Sequence, residues 1–429
     1  RGASSAFITR RRASAVHGVM TRLSRLRASV ALVVVLLLAA CAPARGARRS
    51  SFSVGLDERA STSPLASRRL MTRHERDFDA FVLEHGKTYA SDAKEYAKRL
   101  EIFAENMARA KEMSARDGAE YGATPFADLT EDEFASSLLM REPIDAARVE
   151  RLKRHESSRV LPHLPTENIP LNFDWRALGA VTPVKNQGQC GSCWAFSTVG
   201  AVEGVVAVKT GDLISLSEQE LVSCAKIGGN NGCKGGLMDN GFEWIVENRG
   251  VDDEEDWGYL AKDRRCNWFK KRRAKAASID GFKDVPRNDE DALKKAVSQQ
   301  PVAVAIEADH REFQLYSGGV FDGECGTNLD HGVLVVGYGY DGESAGHKHY
   351  WTVKNSWGAK WGEEGYIRIA RGGMGPAGQC GVAMQASYPT KSSSAPLEDG
   401  DEPTVLDAAL GAVEDVAAWG QERASTVFL

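Results

Sequence analysis

Gln187-Gly-Gln-Cys190-Gly-Ser-Cys193-Trp-Ala-Phe196 is the stretch that decides how this chain is read. From Cys193 to Lys209 the pattern is helical, and Gly211 stops it. A cysteine at the start of a helix lies in the positive end of the helix dipole, which favours thiolate, and thiolate is the form that attacks. The flanking glycines let a substrate backbone come close. Gln187, six residues before Cys193, offers an amide donor to a developing oxyanion. The spacing of Cys190 and Cys193 also suits a zinc ligand pair or a redox pair, but no second Cys-x-x-Cys and no spaced His pair completes such a site.

A thiolate alone cleaves no peptide. It needs a cation beside it and an acid for the leaving amine. Beyond Cys193 the histidines are His310, His331, His347 and His349. His331 stands in Asn328-Leu-Asp-His331-Gly-Val, leading into a strand pattern, about 138 residues after Cys193, a separation expected of such a nucleophile and base. An imidazole also needs an orienting partner. Asn355, in Lys354-Asn355-Ser-Trp357-Gly, can accept a hydrogen bond from the ring, and Trp357 can shield that bond from water. His347 and His349 read as solvated residues of a turn from Glu343 to His349.

The stretches CGSCWAF, LDHGVLVVGYG and VKNSWGAKWGEEGYIRI closely resemble the papain family of cysteine peptidases, and GCKGGLMD (232–239) resembles its cathepsin L branch. The resemblance covers about residues 75 to 390. It implies an α+β, papain-like two-domain fold, with a helical domain and a strand-rich, barrel-like domain, preceded by a helical propeptide. It implies Cys193 as nucleophile, His331 as general acid–base, Asn355 as its orienter, and Gln187 with the Cys193 N–H as oxyanion donors. Six cysteines match the family's bridges, Cys190 with Cys233, Cys224 with Cys266 and Cys325 with Cys380, each worth roughly 2–4 kcal/mol. The family binds an extended peptide along Gly236, next to Gly235. Its pocket for the second residue before the cleaved bond matches Leu237, Met238, Ala305, Leu329, Gly332 and Gln385, beside Asp330; most are apolar or small, so Leu, Phe or Val fits. Gln385 departs from the small residue common there. Trp357 and Trp361 are assigned to the leaving-group side, with core packing as the plain alternative for Trp361. No exopeptidase-type insertion is seen, which makes the enzyme an endopeptidase.

Ahead of the enzyme, Glu95, Arg99, Phe103 and Asn106 match the first inhibitory-helix motif of the family, with Ala110 and Ser114 as departures. Gly122, Phe126 and Asp128 match the second, with Thr124 in place of Asn. Such a segment fills the cleft and is released as acid protonates carboxylates. Helical periodicity runs from Glu75 to about Asp117, with Phe78, Phe81 and Val82 on one stripe and Leu100, Phe103 and Met107 on another. Thr130-Glu-Asp-Glu133 and Ser217-Glu-Gln-Glu220 read as capping boxes. A helix is expected over 288–299, and strands over 302–306, 333–340 and 366–371. Trp257-Gly258-Tyr259 replaces the Tyr-Pro-Tyr frequent in relatives, and the basic run 270–273 reads as a surface loop or clip site.

The chain has 429 residues and a net charge of −5, which gives no basic face for nucleic acid. Eight cysteines include Cys41, which directly follows an apolar run (30–40) preceded by Arg22, Arg25 and Arg27 and followed by small residues, the order of a signal peptide. Seven then remain, six paired and one reactive. The expected organisation is 1–46 extension and signal peptide, 47–168 propeptide with its inhibitory domain at about 75–135, 169–391 mature peptidase and 392–429 acidic tail. The expected protein is a cofactor-free, metal-free monomer acting on protein or peptide substrates. Its own propeptide and cystatin-like inhibitors bind it, and it carries no membrane span when mature. It is sorted to a lysosome or vacuole, with secretion as the alternative. An acyl or peptidyl transferase using the same thioester, and an inactive binding homologue, are the rival readings.

Overall fold

The helical stretch expected from Glu75 to Asp117 is two helices, α1 (Pro64–Glu84) and α2 (Ala93–Arg116). In the computed structural model, which describes residues 64–141, 144, 169–267, 275–342, 348–373 and 375–392, Gly86 at φ +59° ends α1 and the Lys87 N–H reaches back to the Val82 carbonyl. Asp92 caps α2 by accepting from the N–H groups of Lys94 and Glu95. The two predicted apolar stripes pack on each other, with Phe78 and Phe81 lying 5.3 and 5.0 Å from Phe103. The signal run, the linker up to 63, the segments 145–168 and 270–273, His347 and the acidic tail lie outside the described residues.

A strand, β1 (Ala119–Tyr121), and a short helix, α3 (Glu131–Leu138), complete this N-terminal unit. The motif residues converge on the loop between them. Asn106 donates to the carbonyls of Ala127 and Leu129, at 2.8 and 2.9 Å. Lys87 and Tyr89 both donate to the Asp128 carboxylate. Arg99 pairs with Glu95 at 2.7 Å and also with Glu133. The departure Thr124 has its own use, since its hydroxyl donates to the Gln314 carbonyl at 2.8 Å. The capping box at Thr130 and Glu133 is reciprocal, both bonds being 3.1 Å.

Glu133 is pulled in two directions. Partial burial opposes its charge, but the bonds from Arg99, Lys98 and the Thr130 N–H outweigh this and hold its carboxyl at about 2. A depressed folded pKa gives stability that is fully present above the unfolded carboxyl range and is lost as pH falls toward the folded value. Glu133→Gln is therefore expected to lower the melting temperature of the precursor near neutral pH by a few degrees. The difference closes at about pH 2. Calorimetry at several pH values, on a background unable to process itself, measures this. A constant deficit at all pH values would remove the electrostatic account.

After β2 (Phe173–Asp174) comes the central helix α4 (Cys193–Thr210), one residue longer than expected and closed by Gly211 in the left-handed region. Its first fifteen residues, Cys193 to Ala207, are buried, so it is enclosed on every side and runs through the interior. Its one buried acid, Glu203, accepts from Thr182, Lys185 and the Leu216 N–H. Helix α5 (Glu218–Cys224) starts at Ser217, whose hydroxyl accepts from the Glu220 N–H. The return bond of the expected capping box is not made. Glu220 instead accepts from Lys275, Asn248 and the Asp252 N–H, because a buried cation outcompetes a local N–H. Helix α6 (Met238–Glu247) packs on α4.

The remaining elements are β3 (Gly281–Asp284), α7 (Glu290–Val297), β4 (Val302–Ile306), α8 (Arg311–Leu315), β5 (Tyr316–Phe321), β6 (His331–Asp341), β7 (Lys348–Lys354), β8 (Tyr366–Arg371) and β9 (Ala386–Thr390). The sheet order is β1-β5-β8-β7-β6-β4-β9-β3, with β2 beside β6; β5 and β8 run parallel and the other pairs antiparallel. The 288–299 helix runs only from 290 to 297; Asp289 caps its start, accepting from the Ala292 N–H, and Ser298 closes its end. His349 lies in β7 against Tyr340 rather than in a turn. β4 and β6 separate two apolar cores. Val302, Val304, Ile306, Val333 and Val335 face the strand-rich core, and Ala303, Ala305, Leu334 and Val336 face the α4 core. This explains why the expected alternation carries no polar face.

Candidate active site

The site forms where the first turn of α4 meets the first residues of β6. Ser197, one turn into the helix, donates to the Val333 carbonyl at 2.7 Å and ties helix to strand. Gly332 makes the approach possible. A Cβ there would stand 3.2 Å from Trp194 N and Cα and 3.3 Å from the Cys193 carbonyl carbon. Gly332 thus packs directly on the Cys193–Trp194 backbone, which brings the start of β6, where His331 stands, to the start of α4. The β6–β7 pairing, with Leu334 opposite Lys354, carries Asn355 back to His331.

The His331 Nε2–H donates to Asn355 Oδ1 at 2.8 Å. That oxygen also accepts the Ser356 N–H at 2.7 Å, which fixes the end of the amide facing the ring. Nδ1 is left buried without a hydrogen-bond partner. Trp357 stacks on the imidazole at 4.6 Å and is itself buried. Burial pushes the Cys193 thiol up to about 12, against the pull of the Gly332 and Trp194 N–H groups. Burial likewise pushes His331 down to about 4, and the Asn355 bond offsets only part of this. With the cleft covered, both groups are held neutral.

The cover is the N-terminal unit. Phe126 and Phe134 meet the Trp357 ring edge-on at 5.6 and 5.2 Å. From α3 the chain crosses the site. Gln187 Nε2 donates to the Leu138 carbonyl at 2.6 Å and to the Cys190 carbonyl at 2.9 Å. Ser356 holds that amide by donating its hydroxyl to Gln187 Oε1 at 2.6 Å. The Leu139 carbonyl lies over Gly191, 2.9 Å from where a Cβ would be. Met140 N–H then bonds the Asp330 carbonyl and Ile144 N–H the Leu329 carbonyl. Met140 and Ile144 join the apolar cluster that contains Cys193, Leu237, Met238, Ala305 and Leu329.

The other candidate residues separate by role. Met140 lies over Gly235, whereas Gly236 packs inward, a Cβ there standing 2.7 Å from Asn230 Oδ1 and the Trp194 ring. Gln385 is buried, its carbonyl accepts the Ala305 N–H, and its Oε1 has no hydrogen-bond partner. Trp361 is placed as the core-packing reading expects. It is fully buried between Phe313, Tyr316 and Trp357, so packing accounts for it. The disulfides are Cys190–Cys233, Cys224–Cys266 and Cys325–Cys380, and Cys193 is free. With its sulfur in a bridge, Cys190 is unavailable to a zinc or redox pair with Cys193. No motif points to Tyr259 as part of the site, yet its hydroxyl reaches Gln187 and Ser192.

Residues 169–390 match the papain family cysteine protease domain, and residues 78–134 match the cathepsin propeptide inhibitor domain. The chain belongs to the papain family of cysteine proteases. A probable cysteine protease of Arabidopsis thaliana is 48% identical over 336 residues, covering 77% of this chain and 72% of that one. The oryzain beta chain of Oryza sativa subsp. japonica is 51% identical over 309 residues, covering 70% and 63%. Among solved structures, a recombinant stem bromelain precursor superposes with TM-score 0.65 at 38% identity, covering 75% of this chain and all 100% of that one. Digestive procathepsin L 3 of Tenebrio molitor larval midgut gives 0.64 at 38%, covering 74% and 99%. This papain-family protease is thus seen in its proform, with the inhibitor domain over the cleft. Three bridges and a propeptide fit a protease of the secretory pathway. Among the described residues no helix is long and apolar enough to cross a membrane.

Proposed function

We propose that the chain is the zymogen of a cysteine endopeptidase that hydrolyses peptides through a thioester on Cys193. The observation that carries this reading is the Leu138 carbonyl held by Gln187 Nε2 at 2.6 Å, a peptide C=O bound where an oxyanion would develop. In a substrate complex, Cys193 Sγ attacks the scissile carbonyl carbon and the C=O electron pair moves to oxygen. Gln187 Nε2–H and the Cys193 N–H stabilise the resulting oxyanion. Collapse breaks the C–N bond, and His331 gives its proton to the leaving amine. Water, deprotonated by His331, then attacks the thioester and returns the thiolate. Asn355 keeps the ring oriented with Nδ1 toward the sulfur.

The pro-segment resists cleavage by running the wrong way. From Leu138 to Ile144 it passes from the Trp357 side to the Leu329 side, opposite to the N-to-C direction of a substrate in this reading. Met140 and Ile144 sit in the apolar cluster proposed to accept the second residue before the cleaved bond, which supports a preference for Leu, Phe or Val there. Ion pairs cross the boundary between pro-segment and enzyme. Arg311 pairs with Glu105 and Glu131, and Arg116 with Glu312. These contacts hold the cover in place, and acid, as in a lysosome or vacuole, loosens it. Glu133, held at about 2, keeps its charge there, so the inhibitory domain stays folded while its grip fails. The mature enzyme is read as about 169–391.

Near neutral pH, the precursor thiol is expected to react with iodoacetamide at least about 100-fold more slowly than the mature enzyme, since neither thiolate nor access is available. At acid pH the chain shortens, the thiol becomes reactive, and a fluorogenic peptide with Leu or Phe at the second position is cleaved. A precursor that alkylates freely at neutral pH, or a shortened enzyme that leaves such peptides intact, would contradict the reading.

A further inference from the structure

Tyr259 stands in the Trp257-Gly258-Tyr259 stretch that departs from the relatives' pattern, 72 residues from Gln187 in sequence. Its hydroxyl is 2.8 Å from the Gln187 carbonyl oxygen and 2.6 Å from Ser192 Oγ. A carbonyl only accepts, so the phenol proton belongs to Gln187 and the Ser192 hydroxyl donates to the phenol oxygen. Ser192 makes no capping bond to α4, and its other contact, with the Cys190 carbonyl, is long at 3.4 Å. The ring is fixed edge-on against Phe196 at 4.9 Å, and the Tyr259 N–H donates to Glu254. Burial raises the phenol's pKa, so it remains a donor throughout the working range.

These two bonds join the segments that supply both donors to the proposed oxyanion. Gln187 carries one in its side chain, and the Ser192–Cys193 peptide carries the other. Gln187 is held from the opposite wall by Ser356, through its N–H at 2.8 Å and its Oε1 at 2.6 Å. On the near side it is followed by Gly188 at φ +58°, a left-handed turn without a side chain to brace it. We infer that Tyr259 is a positioning residue for the oxyanion site, fixing the distance between the Gln187 amide and the Cys193 N–H. This rests on the oxyanion reading given above.

The test compares the acid-matured wild type with Tyr259→Phe, Gln187→Ala and the double variant. Tyr259→Phe is expected to lower kcat about tenfold with KM little changed, since the interaction matters as charge develops on oxygen. Affinity for a peptide aldehyde, which forms a tetrahedral adduct, falls by a similar factor. The rate of Cys193 alkylation by iodoacetamide and its pH profile do not move, because alkylation creates no oxyanion. In the Gln187→Ala background the Tyr259→Phe effect largely disappears. Ser192→Ala, which leaves the ring packing intact, gives a smaller loss of the same kind. If Gln187→Ala alone keeps full kcat, the oxyanion reading fails and this inference with it. If Gln187→Ala is slow but Tyr259→Phe is not, or if alkylation slows in parallel with kcat, the positioning role alone is overturned.

Discussion

Cys193→Ala is expected to yield a precursor that folds, keeps its inhibitor domain and cleaves nothing, with activity down by about 10⁵-fold or more. The substitution removes one sulfur from a buried helix start and touches no bridge, because Cys190, not Cys193, carries the disulfide to Cys233. Folding therefore loses only a small buried contact, while the chemistry loses the atom on which the thioester forms. At acid pH the variant stays at full length when alone and shortens when a trace of mature wild type is added. Gel mobility and peptide hydrolysis read both. Residual turnover above about one part in 10⁴ would mean that another group attacks the carbonyl.

His331→Ala carries the second large effect, about 10⁴-fold in kcat, comparable to removal of a general base from a catalytic triad. The variant also has a signature that simple loss of fold cannot mimic. With the pro-segment gone, the ring is proposed to stand beside the thiolate as its cation. Removing it leaves only the helix start and the neighbouring N–H groups to favour the charged sulfur. The pH profile of Cys193 alkylation should then move upward, toward that of an ordinary thiol. Gln187→Ala, by contrast, slows hydrolysis and leaves the alkylation profile in place. A His331→Ala enzyme with an unmoved profile would separate the imidazole from the thiol.

Much of this site is legible in the sequence because its parts lie in short contiguous runs. Cys193 opens a helix that Gly211 ends, and His331 and Asn355 sit at the facing ends of one hairpin, so sequence pattern and topology agree. The capping box at Thr130 is readable for the same reason, since both of its bonds are local. What escapes a reading of the sequence depends on partners distant along the chain. Glu220 abandons its local cap for Lys275, and Tyr259 finds Gln187 across the chain. For Trp361 the motif leaves cleft and core readings open, and it is the distant Phe313 and Tyr316 that close around it. Nor does any periodicity reveal that the Leu138 carbonyl occupies the Gln187 amide, because that contact depends on how α3 is seated against Trp357.

The central claim is that an acyl group passes through Cys193. Rapid acid quenching of the mature enzyme during turnover of a peptide ester, followed by mass spectrometry of the digested protein, tests it most directly. An acyl adduct is predicted on the peptide containing Cys193, labile to hydroxylamine as a thioester and absent from Cys193→Ala. Turnover with no adduct even when deacylation is slowed, or with the adduct on another residue, would contradict the account.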